Sequence, residues 1–350
     1  MNKHLIIITV VALAAFTACS SEDSRPAGDM ARGQLEIRMG SSVGELTRSN
    51  NASNLLNGDT VYVWTEMING ATQEVGEYFN AWALKANGVG GLSTLVAGNT
   101  KLFPATNVLN FYALCGNFGV ETEGERTDEP MIEAEVTPLP TTGIRHTVLS
   151  DQRSPEAYYK SDLLYAMVKN QEPISEAVVL PFRHLLSRVQ VVLVAGSGVS
   201  TTELSTATVK ILNLKRQVAF NANPDETETT REAYASMLSQ SNLFQTGDIL
   251  MATNTVATAS DATAPGSTVY ADAIVVPQTI AKGEKFIQVD YLDHTTYYRI
   301  PNGSGDSDFE LESGKQYRFR LIASRIGDTY LMNVSIDNWD VQSGTAVWAE

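Results

Sequence analysis

The chain has 350 residues, of which 43% are hydrophobic and 19% charged, and its formal net charge is −15. This composition excludes a disordered chain, and the length favours two domains over one small core. The negative charge argues against nucleic acid as a partner, because a phosphate backbone is bound by a basic surface.

The N-terminus has the pattern of an export signal. Lys3 supplies a positive charge, residues 5–18 are mostly apolar, and Cys19 ends the string FTAC. The apolar run is shorter than the roughly 20 residues that a transmembrane helix needs. FTAC resembles a bacterial lipobox, so we predict a signal peptide over 1–18 and a tether over 19–32 that begins at a lipidated Cys19. A conventional signal peptide that happens to contain a cysteine is the alternative.

Short apolar or alternating runs bounded by turn residues recur along the chain, and helical periodicity is rare. The first run is GQLEIRMG, where Leu35, Ile37 and Met39 alternate with polar residues. Further predicted strands lie at 59–67, 78–86, 108–116, 162–170, 178–182, 187–196, 207–220, 272–278, 285–292, 295–301, 316–324 and 330–339.

This spacing predicts an all-β protein made of two antiparallel β-sandwiches, because a parallel α/β fold would need helices between the strands. We place one sandwich at 33–174 and the other at 175–350, with a margin of ten residues. Residues 222–268 are polar and predict long loops with a short helix at 231–240. If Cys19 is lipidated, Cys115 has no disulfide partner.

The sequence shows none of the standard nucleotide-binding, hydrolase or metalloprotease motifs. We therefore predict a protein that is not an enzyme and binds neither cofactor nor metal. Trp64, Trp82 and Tyr158–Tyr159 offer rings that could stack on sugars, as in a glycan-binding surface lipoprotein. Packing in the core is the simpler explanation for these aromatic residues.

Six strings together resemble one family. They are SDLLYAMV (161–168), VVLPFRHLLSRVQVVL (178–193), ATVKILNLKRQVAF (207–220), IVVPQT (274–279), SGKQYRFRLI (313–322) and VSIDNWD (334–340). With the lipobox, this set is similar to the fimbrillin-like proteins, the shaft and accessory subunits of the type V pili of Bacteroidia. The resemblance implies two transthyretin-like Greek-key β-sandwiches, exported through the periplasm to the outer membrane as a lipoprotein. Its partners would be outer-membrane lipid and other fimbrial subunits, and its role adhesion and biofilm formation.

The resemblance also implies how such a subunit assembles. An arginine- or lysine-specific protease removes the first strand, and a strand from the C-terminal region of a neighbouring subunit fills the groove. Arg48 is the predicted cleavage site, because cutting there removes GQLEIRMG whole. Cutting after Arg25 or Arg32 would leave that strand in place, and Arg38 lies inside it.

The predicted donor segment is the tail 340–350, with Val341, Val347 and Trp348 as its apolar residues. A last strand that only completes the second sandwich is the alternative for this tail. A tip or anchor subunit is the alternative for the protein.

Overall fold

The computed structural model describes residues 35–43, 54–118, 132–240, 245–254, 267–291, 293–326 and 329–338. In chain order the strands begin with β1 (Met39–Val43), β2 (Thr60–Ile68), β3 (Val75–Ala86), β4 (Gly91–Thr94), β5 (Val108–Gly116), β6 (Ile144–Thr147), β7 (Leu163–Gln171), β8 (Val178–His184), β9 (Ser187–Ala195), β10 (Thr208–Lys215) and β11 (Gln217–Phe220). They continue with β12 (Leu238–Ser239), β13 (Thr246–Leu250), β14 (Ala252–Asn254), β15 (Ser267–Val275), β16 (Gln278–Ile280), β17 (Lys285–Tyr291), β18 (His294–Arg299), β19 (Phe309–Leu311), β20 (Gln316–Ile326) and β21 (Thr329–Asn338). The described residues also form the short helices α1 (Pro155–Lys160), α2 (Thr201–Leu204) and α3 (Arg231–Ala235). The predicted all-β class is confirmed.

Seven strands within residues 39–184 close into a barrel, in the order β1-β4-β3-β2-β5-β7-β8. The ladders from β4 round to β8 are antiparallel. β1 completes the ring by pairing antiparallel with β4 and parallel with β8. The parallel ladder sets Met39 against Val178 and Val43 against Phe182. The barrel is therefore closed by the first strand of the described chain.

The interior of this barrel is an apolar cluster, which we call the barrel core. Alternation along each strand places Val61 and Val63 inside and Tyr62 and Trp64 outside. The barrel core consists of Ile37, Met39, Val43, Leu55, Val61, Val63, Phe79, Trp82, Leu84, Ala86, Phe103, Leu109, Phe111, Ala113, Cys115, Leu164, Ala166, Val178, Leu180 and Phe182.

The outer face of the barrel is also covered, which explains the continuous apolar run of β5. Phe111 and Ala113 of β5 point into the barrel core, whereas Tyr112 and Leu114 join a second buried cluster. Strands buried on both faces read as unbroken apolar runs instead of alternating ones. We call this second cluster the second core.

Two sheets of the second half pack face to face around the second core. One is ordered β13-β10-β17-β18 and the other β14-β15-β9-β20-β21. The ring of Phe319 on β20 lies 5.5 Å from that of Phe286 on β17 and 5.6 Å from that of Tyr298 on β18, centroid to centroid. These contacts join the sheets into a sandwich. Smaller sheets, β12-β11-β6 and β16-β19, complete the described fold.

Three details differ from the sequence-based expectation. The pairs β1–β8 and β9–β20 are parallel. These strands are far apart in sequence, so their parallel pairing needs no crossover helix. β8 belongs to the barrel and β9 to the sandwich, so the change of sheet falls at Leu185–Leu186. Division into two domains at residue 174 stays a prediction, since β6 of the first half pairs with β11 of the second. The region 222–268 contains a short helix, as predicted, but also the short strands β12 to β14, whose periodicity is too weak to predict them.

The helices are short and begin at side-chain caps. The Ser154 hydroxyl accepts a hydrogen bond from the amide of Ala157 at the start of α1, and Thr230 does the same for Ala233 in α3. The helix predicted at 231–240 ends at Ala235. Among the described residues, none of the helices has the length and apolarity needed to cross a bilayer.

Candidate assembly site: the β1 slot

Main-chain hydrogen bonds hold residues 35–43 on both sides. Toward 101–103, the amide of Ile37 donates to Lys101 O and the amide of Phe103 donates to Leu35 O, at 2.8 Å each. Further along, Val178 N donates to Arg38 O at 2.9 Å. We call the space that these residues occupy, between β8 on one side and β4 with 101–103 on the other, the β1 slot.

Alternate side chains of the segment enter the barrel core. Ile37, Met39 and Val43 are 3%, 4% and 7% exposed, and Leu35 is half-buried against the same cluster. Glu36 and Arg38 are exposed on the opposite face. The slot therefore consists of a row of apolar pockets beneath two main-chain ladders.

The strand itself lies further along the chain than the sequence predicts. The ladder runs over Met39–Val43, and Glu36 forms only an isolated bridge to Leu102. Gly40, Ser41 and Ser42 have low strand propensity. They form a strand nevertheless, because the edges of β4 and β8 on either side pair with their main chain. Ser41 faces inward and is buried, and its hydroxyl has no hydrogen-bond partner within the described residues.

Gly40 lies on the outward face and is nevertheless buried. A Cβ at this position would lie 3.3 Å from Gly90 O, 3.6 Å from a methyl carbon of Val179 and 3.8 Å from the Cβ of Ala177. Only hydrogen fits without a shift of the surrounding atoms. We call this narrow point of the slot the Gly40 constriction.

The tight turn NGVGG before β4 builds one wall of the constriction. The Asn87 side-chain oxygen accepts hydrogen bonds from the amides of Val89 and Gly91, at 2.9 Å each. Gly90 has a φ of 96°, which a residue with a side chain rarely adopts. The turn thereby directs Gly90 O at β1, where it accepts a 2.7 Å hydrogen bond from Ser41 N.

Not every predicted site residue lies in the described part of the chain. Leu35, Ile37 and Met39 lie in the β1 slot, and their displacement by a donor strand stays a prediction. The lipidation site, the cleavage site and the donor segment lie outside the described residues, namely Cys19, Arg48, Val341, Val347 and Trp348. Their roles stay predictions as well.

Three of the four aromatic residues considered for sugar stacking are buried, and the fourth, Tyr159, is half-buried. Trp64 and Trp82 are 1% and 2% exposed, and their indole N–H groups donate to Thr137 O and Asn99 O at 2.8 and 3.1 Å. Tyr158 is buried as well. Stacking on a glycan through Trp64, Trp82 or Tyr158 is wrong as a prediction, and packing in the core is confirmed for these three rings.

Buried ionisable groups lie on or beside strands of both the barrel and the sandwich. His184 Nδ1 contacts Asp162 Oδ2 at 2.8 Å, and Arg188 donates to Asp272 Oδ1 at 2.7 Å. His146 Nε2 lies 2.9 Å from Ser161 O, and complete burial lowers the pKa of this imidazole. Within the described ranges, no group of three or more His, Cys, Asp and Glu side chains is placed to hold a metal.

The half-buried Lys169 and the buried Tyr112 form a pair that joins the barrel to the loop after β11. Lys169 Nζ donates to Tyr112 Oη at 2.7 Å and to Pro224 O at 2.5 Å. Burial lowers the pKa of Lys169, while burial and the neighbouring Glu66 raise that of Tyr112. These groups bond one another and thereby join β5 and β7 to the loop after β11.

Sequence reasoning missed the buried pairs, although the sequence carried a signal for them. Asp162, His184 and Arg188 interrupt the apolar strings SDLLYAMV and VVLPFRHLLSRVQVVL. A charged residue inside an apolar run requires a buried partner. The identity of that partner depends on strands that are distant in sequence.

A comparison with protein families gives a match to the fimbrillin-like family over residues 47–339. The chain belongs to this family. β1 precedes the matched range. A comparison with curated proteins finds no match.

Solved structures agree with this family at the level of the fold. A candidate cell adhesion protein of Bacteroides ovatus has a TM-score of 0.57 and 16% identity to this fimbrillin-like protein, over 89% of this chain and 99% of its own. A candidate cell adhesion protein of Bacteroides uniformis has a TM-score of 0.52 and 16% identity, over 87% of this chain and 99% of its own. Identities this low show a shared fold alone.

Proposed function

We propose that this fimbrillin-like protein is a structural subunit of a cell-surface fimbrium that assembles by donor-strand exchange. It would be exported through the periplasm as a lipoprotein anchored in the outer membrane by Cys19, and would serve adhesion and biofilm formation. A protease would then cut after Arg48 and release β1. The observation that carries the proposal is the closure of the barrel by a single strand, β1, held between β4 and β8.

Loss of β1 would leave a strong binding site for another strand. Ile37, Met39 and Val43 would vacate their pockets, and each buried apolar side chain is worth about 1.5–3 kcal/mol. The edges of β4 and β8 would lose their ladder partners, and unpaired edges readily accept a new strand. An added strand would gain affinity from main-chain hydrogen bonds and specificity from the pockets.

The position of Arg48 suits this role better than that of Arg38. Arg38 O accepts a hydrogen bond from Val178 N inside the slot, so a protease would have to unpair β1 to reach it. Arg48 follows Val43, the last residue of β1, in a polar stretch of sequence. A cut there would remove β1 whole and leave β2 in place.

Repetition of this joint would produce a filament. The slot lies in the barrel and the proposed donor follows β21, so each joint would link two different surfaces. Contacts of this head-to-tail kind form open filaments when the rotation between subunits does not close a ring. The family supports this role, because fimbrillin-like proteins take their name from the fimbrium.

Limited digestion of the chain from Cys19 onward with a trypsin-like protease tests the proposal. We expect a new N-terminus at Ser49, followed by a ladder of oligomers that survives mild detergent. The Arg48→Gln variant should stay intact there and monomeric. The matched Arg38→Gln variant should be cut and should assemble like the wild type. A cut wild-type chain that remained monomeric would contradict the proposal.

A further inference from the structure

Tyr297 is an exposed aromatic ring on the second sandwich. It lies on β18, the edge strand of the sheet β13-β10-β17-β18, and 36% of its surface is exposed. Among the side chains that the structure describes, the other Tyr, Trp and Phe rings are buried or half-buried. Packing in the core accounts for Trp64 and Trp82 but does not account for Tyr297.

The register of β17 and β18 surrounds this ring with polar side chains. Their neighbours along the two strands, such as Val289 and Tyr298, point into the second core, so alternation turns the polar set outward. The residues that lie opposite each other across the ladder are Gln288 with Tyr297, Asp290 with Thr295 and Lys285 with Arg299. We call these six residues the Tyr297 face.

Two cations of the Tyr297 face lack a carboxylate partner within the described residues. Lys285 Nζ lies 3.6 Å from the centre of the Tyr297 ring, and Arg299 donates to Gly283 O at 3.1 Å. The exposed Arg153, by contrast, pairs with a carboxylate at 2.6 Å. Two adjacent cations of this kind give an acidic chain a local binding site for an anion.

The neighbouring Glu284 belongs to the other side of β17. Glu284 O accepts a 2.9 Å hydrogen bond from Ile300 N, and Ile300 is buried in the second core. Because opposed residues of a ladder share a face, Glu284 is placed on the side of Ile300 and not on that of Lys285. It therefore leaves the two cations available to a ligand.

Gln288 presents a fixed hydrogen-bond acceptor beside the ring. Its Nε2 donates to both carboxylate oxygens of Asp290, at 2.9 and 2.8 Å. The same carboxylate is held by the Thr295 hydroxyl at 2.7 Å and by Lys210 Nζ at 3.4 Å. Asp290 is thus a positioning residue, which leaves Gln288 Oε1 on the far side of the amide without a hydrogen bond from the described part of the chain.

A sugar acid carries groups that match all three features. Its apolar C–H face would stack on Tyr297, and a hydroxyl would donate to Gln288 Oε1. Its carboxylate would accept hydrogen bonds from Lys285 and from the guanidinium fork of Arg299. Lys285 would leave the ring face at little cost, because an exposed cation–π contact is weak. An acidic amino-acid side chain has no flat apolar face and would leave Tyr297 unused.

We propose that the Tyr297 face binds an acidic polysaccharide built of uronic-acid residues. This inference deepens the proposed function by naming a ligand class for adhesion, and it rests on that adhesive role and not on donor-strand exchange. The Tyr297 face belongs to the sandwich and the β1 slot to the barrel. The uncut monomer should therefore already bind the polysaccharide.

Binding of the uncut chain from Cys19 onward to immobilised oligogalacturonate tests the ligand class. We expect affinity about tenfold higher than for the methyl-esterified oligosaccharide, which has the same sugar rings without the charge. Rising salt should weaken binding, because exposed charges are screened. Equal affinity for the two forms, or no binding to either, would overturn the proposal. Equally tight binding to polyglutamate would assign the face to an acidic peptide and would also overturn it.

Two matched pairs of variants test the location. Tyr297→Ala should weaken binding about tenfold through loss of stacking, whereas Val75→Ala shortens an exposed apolar side chain of β3 and should bind like the wild type. Lys285→Gln should weaken binding about threefold or more, whereas Lys85→Gln removes the same charge from an exposed position of β3 and should not. Urea denaturation confirms that each variant is folded. A folded variant of the Tyr297 face that binds as tightly as its control would overturn the location.

The assembly assay separates failure of this inference from failure of the proposed function. A cut chain that forms ladders but does not bind oligogalacturonate contradicts this inference alone. A cut chain that binds oligogalacturonate but stays monomeric contradicts donor-strand exchange alone. Binding by the uncut chain together with ladders after the cut supports both.

Discussion

Closure of the barrel by β1 and pairing of β9 with β15 in the second sandwich depend on different kinds of contact. The barrel core contains apolar side chains and Cys115, and it is completed by three residues of the segment 35–43. Beside the second core, Arg188 of β9 donates to Asp272 of β15 through two nitrogens, at 3.0 and 2.7 Å. Gln190 adds a third hydrogen bond to the same oxygen at 3.2 Å.

This difference suits two roles within one subunit. Apolar contacts and main-chain ladders accept any strand of suitable pattern, so β1 is replaceable in principle. A buried ion pair is specific, because either charge left alone in the interior is costly. An ion pair therefore joins β9 to β15 in the second sandwich, whereas apolar contacts and main-chain ladders hold the strand that closes the barrel.

The largest expected effect comes from breaking the buried ion pair. Asp272→Ala leaves the Arg188 guanidinium buried without its carboxylate, and we expect a loss of about 3–5 kcal/mol in the free energy of unfolding. Urea denaturation measures this loss. The control is Asp151→Ala, which breaks the exposed pair between Asp151 and Arg153 and should cost far less. Similar losses for the two variants would show that the buried ion pair stabilises the protein no more than the exposed one. The proposed contrast between the barrel and the second sandwich would then be wrong.

The next effect concerns how firmly β1 is held. Met39→Ala empties a buried pocket of the barrel core, and we expect a loss of about 2–3 kcal/mol in unfolding free energy. Denaturation followed by the fluorescence of the barrel-core Trp82 would report it. The neighbouring Arg38→Ala changes an exposed side chain and should stay within about 0.5 kcal/mol of the wild type. A neutral Met39→Ala would show that β1 contributes little to closure.

A smaller expected effect is the pH dependence of stability that the buried His146 contributes. Burial lowers the pKa of His146 below the ordinary value of 6.5, so the imidazole stays neutral in the folded chain. As the pH falls below 6.5, the unfolded chain binds a proton that the folded chain does not, and stability decreases until the folded pKa is reached. The slope reaches about 1.4 kcal/mol per pH unit for one group.

The His146→Gln variant isolates this contribution. We expect its unfolding free energy to fall less steeply between pH 7 and pH 5 than that of the wild type, when both are measured by urea denaturation. Equal slopes for the two proteins would show that His146 takes up a proton in the folded state. The pH dependence would then come from other groups.

Sequence reasoning succeeded where the signal is local. β5 was predicted at 108–116 and forms at Val108–Gly116, and β9 was predicted at 187–196 and forms at Ser187–Ala195. The burial of Ile37 and Met39 follows the alternation that predicted an apolar face. The Gly40 constriction was not predictable, because its walls come from Gly90, Ala177 and Val179, which are far away in sequence.

The sequence by itself determined the all-β class, the position of most strands and the family pattern, because alternation, turn residues and apolar runs act over a few residues. The tertiary structure alone decided that β1 pairs with β8, that this pairing is parallel and that it closes a barrel. Main-chain hydrogen bonds are nearly independent of side-chain identity. The residues of a strand therefore do not determine which strand pairs with it. Strand pairing depends on how segments distant in sequence pack against one another, as Gly40 packs closely against Gly90 O.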